Sequence, residues 1–120
     1  MDINGILKRV QVKSCTEKEN GISFSAKSIT TSGAKNVIHL YSKEEIDFIS
    51  VYYNNQCYLV PIELFEGQRQ CSLSFSGKKV NAIQPLFIEN FRAEKIINEI
   101  LENKIYSKEE NNFIVYQYDL

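Results

Sequence analysis

Arg9-Val10-Gln11-Val12-Lys13-Ser14 is the stretch that decides the reading of this chain. Successive side chains of an extended backbone point to opposite faces. Val10 and Val12 therefore share one side, and Arg9, Gln11, Lys13 and Cys15 share the other. The pattern predicts one strand from Ile6 to Cys15, with an apolar core face and a polar face. On the polar face Gln11 and Lys13 come together. A lysine there can orient or deprotonate a water, or neutralise charge developing on a phosphate. A side chain two positions away can complete a divalent-metal site. The solvated face of a half-buried strand has the same spacing, so the pattern alone leaves both readings open.

Upstream of this strand stands Asn4-Gly5, the favoured pair for a two-residue type I′ hairpin turn, whose central residues both need positive φ. Downstream, the charged tip Glu17 to Gly21 connects to a strand near Ile22 to Ala26. Thr30 to Asn36 is polar, contains Gly33 and reads as a loop; Val37 to Tyr41 reads as a short strand. Ser42-Lys43-Glu44-Glu45 has the form of a capping box, in which Ser caps and the Glu three residues on reaches back. Phe48 to Tyr53 and Cys57 to Pro61 are β-rich runs joined by a tight turn at Asn54 to Gln56, and Gln70 to Phe75 alternates again. From Asn90, a plausible N-cap, the period becomes helical. Ala93, Ile96, Ile97, Ile100 and Leu101 form one stripe on a helix running to about Lys104. Phe113 to Tyr118 reads as a last strand or a docked tail. The fold class is α+β, with an antiparallel sheet and a late helix.

Composition narrows the function classes. A chain of 120 residues, 43% hydrophobic and 24% charged with 5 Gly and 2 Pro, is one folded domain over 1–120 and not a disordered tract. A net charge of -1 excludes a globally basic nucleic-acid binder but leaves room for a local basic face. No apolar run approaches the roughly 18–20 residues of a membrane span, so no membrane partner is expected. The first residues carry charge and a turn where a signal peptide needs an apolar stretch. Three widely spaced cysteines fit reduced thiols in a cytoplasmic protein, with Cys57 and Cys71 in the core and Cys15 beside polar residues. His39 is the only histidine and reads as a packed or solvated residue. No nucleophile elbow, Walker loop, dinucleotide fingerprint or HExxH motif is present.

The same strand begins a series of blocks. Arg9 to Ser14, then Tyr41 with Glu44-Glu45-Ile46-Asp47-Phe48, then Val51-Tyr52, then Tyr58-Leu59-Val60-Pro61-Ile62-Glu63, then Ile88-Glu89-Asn90-Phe91, resemble the PD-(D/E)xK endonucleases related to group I intron homing enzymes. The likeness runs from about Met1 to about Phe91. The resemblance implies a restriction-endonuclease-like mixed sheet with flanking helices and Mg²⁺-dependent cleavage of double-stranded DNA. It implies that Gln11-Val12-Lys13 is a QxK variant of the (D/E)xK element. Lys13 is then the catalytic lysine and Gln11 the residue at the metal-side position. It also implies a homo-oligomer, dimer or tetramer, because two strands must be cut.

The family also places an aspartate on the strand before this element, and a neutral Gln cannot replace its charge. Asp2 can be tested by register. With Asn4 and Gly5 central in the turn, paired positions sum to nine, so Ile3 faces Ile6 and Asp2 faces Leu7. Gln11 lies four residues beyond Leu7, on the order of 13 Å at about 3.3 Å per residue, too far to share a metal. The position facing Gln11 falls three residues before Met1. Asp2 therefore reads as a turn residue, and the domain as N-terminally shortened, lacking the family's first helix and catalytic-Asp strand.

Residues 1–80 carry ten Lys/Arg against eight Asp/Glu, and residues 81–120 carry four against seven. Arg9, Lys13, Lys27, Lys35, Arg69, Lys78 and Lys79 are the candidates for a phosphate-facing surface. The acidic helix should face away from DNA. The function expected is metal-dependent phosphodiester hydrolysis, with a truncated, inactive form possible. The alternatives are a non-catalytic nuclease-fold DNA-binding or assembly module, and a small α+β protein with no nucleic-acid role.

Overall fold

The computed structural model describes residues 1–78, 85–102, 104–106 and 114–116. The elements, in chain order, are β1 (Asp2–Ile3), β2 (Ile6–Leu7), β3 (Val10–Lys13), β4 (Cys15–Lys18), β5 (Gly21–Ser25), β6 (Lys27–Ser32), β7 (Lys35–Leu40), β8 (Phe48–Tyr53), β9 (Gln56–Pro61), β10 (Gln70–Ser74), α1 (Ala93–Leu101), β11 (Lys104–Tyr106) and β12 (Ile114–Tyr116). Single 3₁₀ turns cover Ile62–Leu64 and Ile88–Phe91.

Asn4 and Gly5 both hold positive φ, 50° and 89°, and the β1–β2 register is Asp2↔Leu7 and Ile3↔Ile6, as the turn chemistry dictates. Asn54 and Asn55, at φ 51° and 63°, do the same for β8 and β9. Leading to that hairpin, the Ser42 backbone N–H and hydroxyl both donate to Glu45 Oε1 at 3.1 Å, the expected reach-back.

The centre is a mixed three-stranded sheet, β3-β8-β9. β3 runs parallel to β8, with Gln11 opposite Ile49 and Lys13 opposite Val51, while β9 is antiparallel to β8. This is the mixed sheet that the family resemblance implies, where the strand patterns alone read as antiparallel. The β4–β5 and β6–β7 hairpins form a long crossover that brings the chain back to its starting edge, and only such a crossover permits parallel pairing. A second sheet, β10-β5-β4, is joined by pairing of Gln70 with Ser25 through to Ser74 with Gly21. The core between the layers holds Ile22, Phe24, Ile49, Val51, Val60, Phe65 and Leu73, all buried.

Several local expectations change. Thr30 to Asn36 is not a loop: β6 and β7 pair over their whole length from Lys27↔Leu40 to Ser32↔Lys35, turning at Gly33 (φ 63°). Thr and Ser tolerate the extended backbone, and polarity marks only that both faces are wet. The strand from Ile6 to Cys15 breaks at Lys8-Arg9 and at Ser14. The helix begins at Ala93, not at Asn90. Ile88 and Phe91 are buried by a 3₁₀ turn, and Arg92 is extended (φ −56°, ψ 136°) before α1 starts. Of the predicted stripe, Ile96 and Ile100 are buried, Ala93 and Ile97 pack partly, and Leu101 remains exposed. Each buried Ile contributes about 1.5–3 kcal/mol. Cys71 is buried but Cys57 is only half-buried, its Sγ 3.4 Å from Ser50 Oγ. The last strand proposed for the tail is present as β12, antiparallel to β11. Among the described residues no helix is long and apolar enough to cross a membrane.

Candidate active site

β3 is an edge strand whose one partner among the described residues is β8. Parallel pairing buries the β8 side, and alternation then puts Gln11 and Lys13 on the same half-buried face. The Lys13 ammonium donates to the Lys27 carbonyl oxygen at 3.0 Å and lies 5.2 Å from the centre of the Tyr41 ring. The ring face is electron-rich and attracts the cation. Tyr41 is itself buried, so it forms a firm floor. The Lys27 carbonyl also accepts from Ser25 Oγ at 3.1 Å. An ammonium has three protons, and this carbonyl takes one of them. Lys13 is thus held in place with donors left for a substrate.

The apolar face of this strand behaves differently from its prediction. Val10 packs partly against the core, but Val12 is 73% exposed. At a sheet edge one face can be covered only where another layer reaches it, and that layer reaches Val10 alone.

The donor set at Gln11 does not fit a Mg²⁺ ion on its own. Gln11 is neutral, and Mg²⁺ is held through carboxylates. Asp2 is engaged elsewhere: its Oδ1 accepts from the Gly5 N–H at 2.8 Å, and its register partner is Leu7. Among the described residues no group of three or more His, Cys, Asp and Glu is gathered that could hold a metal ion. Cys15 is no nucleophile candidate either. Its Sγ is 3.6 Å from the Tyr52 carbonyl, and burial pushes its thiol pKa up, away from the reactive thiolate.

Arg9 has a structural task. Its backbone N–H donates to Asp47 Oδ2 at 2.8 Å, its Nε to the same oxygen at 3.3 Å, and an Nη to Asp47 Oδ1 at 3.2 Å. The guanidinium also donates to the carbonyls of Lys43 (2.9 Å) and Glu44. It clamps the Ser42–Asp47 turn that leads into β8, and so fixes β8 beside β3. Burial pulls the Asp47 pKa upward, but the side-chain and backbone bonds from Arg9 outweigh it and leave the carboxyl below its ordinary value. A depressed folded pKa stabilises the fold above the unfolded value of about 3.9 and loses that contribution as pH falls through the lower folded value. Denaturant midpoints measured from pH 6 to pH 2 should fall in that acid window. In Asp47→Asn the same titration should be flatter, and an unchanged slope would remove Asp47 from the account.

The other basic candidates separate in space. Lys27 and Lys35 stand at opposite ends of the β6–β7 hairpin. Arg69 is exposed beside the Lys27 end, since its carbonyl accepts from Ala26 N–H at 3.0 Å. Lys78 is exposed near Ser76, and Lys79 lies outside the described residues. His39 pairs with Glu45 Oε2 at 2.6 Å and meets Tyr41 edge-on at 6.4 Å. Tyr41 is the site residue to which sequence reasoning assigned no role. Its only signal was its place at the head of the second block.

Comparison with known proteins places the chain by family and fold. A family model described as PD-(D/E)XK endonuclease matches residues 1–93. A solved structure titled as a bacterial homing endonuclease, I-Ssp6803I, superposes with a TM-score of 0.59 at 23% identity, covering 82% of this chain and 70% of that one, a likeness of fold. No curated protein gives a significant match. The family model spans more than three-quarters of the chain: this chain belongs to the PD-(D/E)XK endonuclease family.

Proposed function

We propose that this chain is a DNA endonuclease-like protein, in which Lys13 orients the attacking water or neutralises the phosphate charge of a double-stranded DNA substrate. The observation that carries the reading is the Lys13 ammonium, fixed by the Lys27 carbonyl and the Tyr41 ring on the QxK strand of a PD-(D/E)XK chain. Nucleases of this class generally use divalent metal ions, and Mg²⁺ is the one expected here. Gln11 is the neighbour at the metal side. Because the carboxylates are not gathered among the described residues, no chemical step is assigned to the ion. Lys27, Lys35 and Arg69 are the phosphate contacts this reading favours, with Arg9 held in the turn clamp. A dimer or tetramer and a cytoplasmic location belong to the same proposal.

The uncharged donor set at Gln11 favours a second reading, a nuclease-fold module that binds DNA without cutting it. Plasmid nicking in Mg²⁺ and in EDTA, with DNA binding measured from 50 to 200 mM salt, separates the two. Mg²⁺-dependent nicking with binding that weakens as salt rises supports the enzyme. Salt-dependent binding without nicking supports the module. Undetectable or salt-independent binding overturns both.

A further inference from the structure

The β6–β7 hairpin stands off the core as a two-stranded ribbon. All residues of β7 but Leu40 are exposed, and Ile29, Val37 and Ile38 are 58%, 53% and 41% exposed. From Asn20 to Lys43 the sequence contains no Asp or Glu, yet it contains Lys27, Lys35, His39 and Lys43. In a chain of net charge -1 the ribbon is therefore a local positive feature. Pairing sorts its residues. Ser28, Thr30, Val37 and His39 share one face, and Lys27, Ile29, Ile38 and Leu40 the other. Glu45 meets His39 only at the foot of the ribbon.

The foot is also where the candidate active site sits, because the Lys27 carbonyl is the acceptor for Lys13. The ribbon leaves Lys13 and extends five residue steps from Lys27 to Ser32, on the order of 17 Å at about 3.3 Å per step. That is about five base pairs at roughly 3.4 Å each. The major groove of B-DNA, about 12 Å wide, admits a two-stranded β-ribbon.

We propose that the β6–β7 ribbon lies in the major groove of a duplex whose phosphodiester is at Lys13, and reads about five base pairs to one side of it. Hydroxyls of Ser28 and Thr30 meet base edges, Val37 suits a thymine methyl, and Lys35 takes a phosphate near the tip. The inference rests on the nuclease reading and adds to it the element that sets sequence preference.

The test uses the full chain and a pool of 40-base-pair duplexes of random sequence. Thr30→Glu, which puts a carboxylate in the groove, should weaken binding by about tenfold or more. Lys35→Ala should lower the slope of log affinity against log salt by about one. Sequences selected from the pool by Thr30→Val should lose preference about three base pairs from the nick, since Thr30 stands three steps along the ribbon from Lys27. Both positions are exposed, and Lys35→Ala at the ribbon's end decides the matter if Thr30→Glu does not fold. If wild type binds DNA and both variants match its affinity and slope, the ribbon assignment fails while the nuclease reading stands. If the variants change only the oligomeric state, the ribbon joins copies of the chain and the assignment fails. If wild type does not bind DNA, both fall together.

Discussion

Lys13→Ala is expected to lower DNA nicking by about 100- to 1,000-fold, the loss typical when one preorganised charge at a reacting centre is removed. The ammonium is held by two unlike partners, a backbone carbonyl at 3.0 Å and an aromatic face at 5.2 Å. Neither consumes its charge, so most of the electrostatic effect remains available to a phosphate. Lys13→Arg keeps the charge and can still stack on Tyr41, but its larger planar fork spreads the charge and does not put a compact ammonium at the same point beside the Lys27 carbonyl, and should recover only part of the rate. A structural role would show differently: the fold would lose stability while the nicking rate per folded molecule held. Melting curves on both variants therefore accompany the assay. Nicking by Lys13→Ala at the wild-type rate would end the assignment of Lys13 to catalysis.

Gly21→Ala should be the most damaging small substitution in the fold. A Cβ at Gly21 would lie 2.0 Å from the Leu73 carbonyl oxygen and 3.0 Å from its carbon. Both are backbone atoms of β10, paired here with β5, and neither can yield without parting the strands. Overpacking of this kind costs about 3 kcal/mol, or about 12 °C of melting temperature at roughly 4 °C per kcal/mol for a domain of this size. Gly77→Ala is the matched control. Its Cβ would meet only the Phe87 ring, at 3.6 Å, so its effect should stay within about 0.5 kcal/mol. Equal melting temperatures for the two variants would show that β5 and β10 lie further apart than described.

Gly21 also marks where sequence reading stops. From the chain alone it is a turn residue at a charged tip, and its need for no side chain is invisible. The demand comes from Leu73, fifty-two positions away in sequence. Asn4-Gly5 is the opposite case. Its turn type, its register and the Asp2↔Leu7 pairing follow from two adjacent residues, because positive φ is a local steric matter. The Ser42 to Glu45 reach-back was legible for the same reason. Thr30 to Asn36 reads as a loop because polarity reports solvent, and a ribbon wet on both faces has the composition of a loop.

The sequence by itself determined the β1–β2, β4–β5 and β8–β9 hairpins, the helical stripe, the placing of Gln11 and Lys13 on one face and the family to which those blocks belong. These are properties of near neighbours or of ordered blocks along the chain. Only the tertiary structure decided that β3 runs parallel to β8, that Arg9 clamps the turn before β8, and that Lys13 rests on Tyr41 beneath the foot of the β6–β7 ribbon. Each of these joins residues 14 to 38 positions apart. Their meeting is set by which apolar faces bury against one another, and burial is a property of the whole fold.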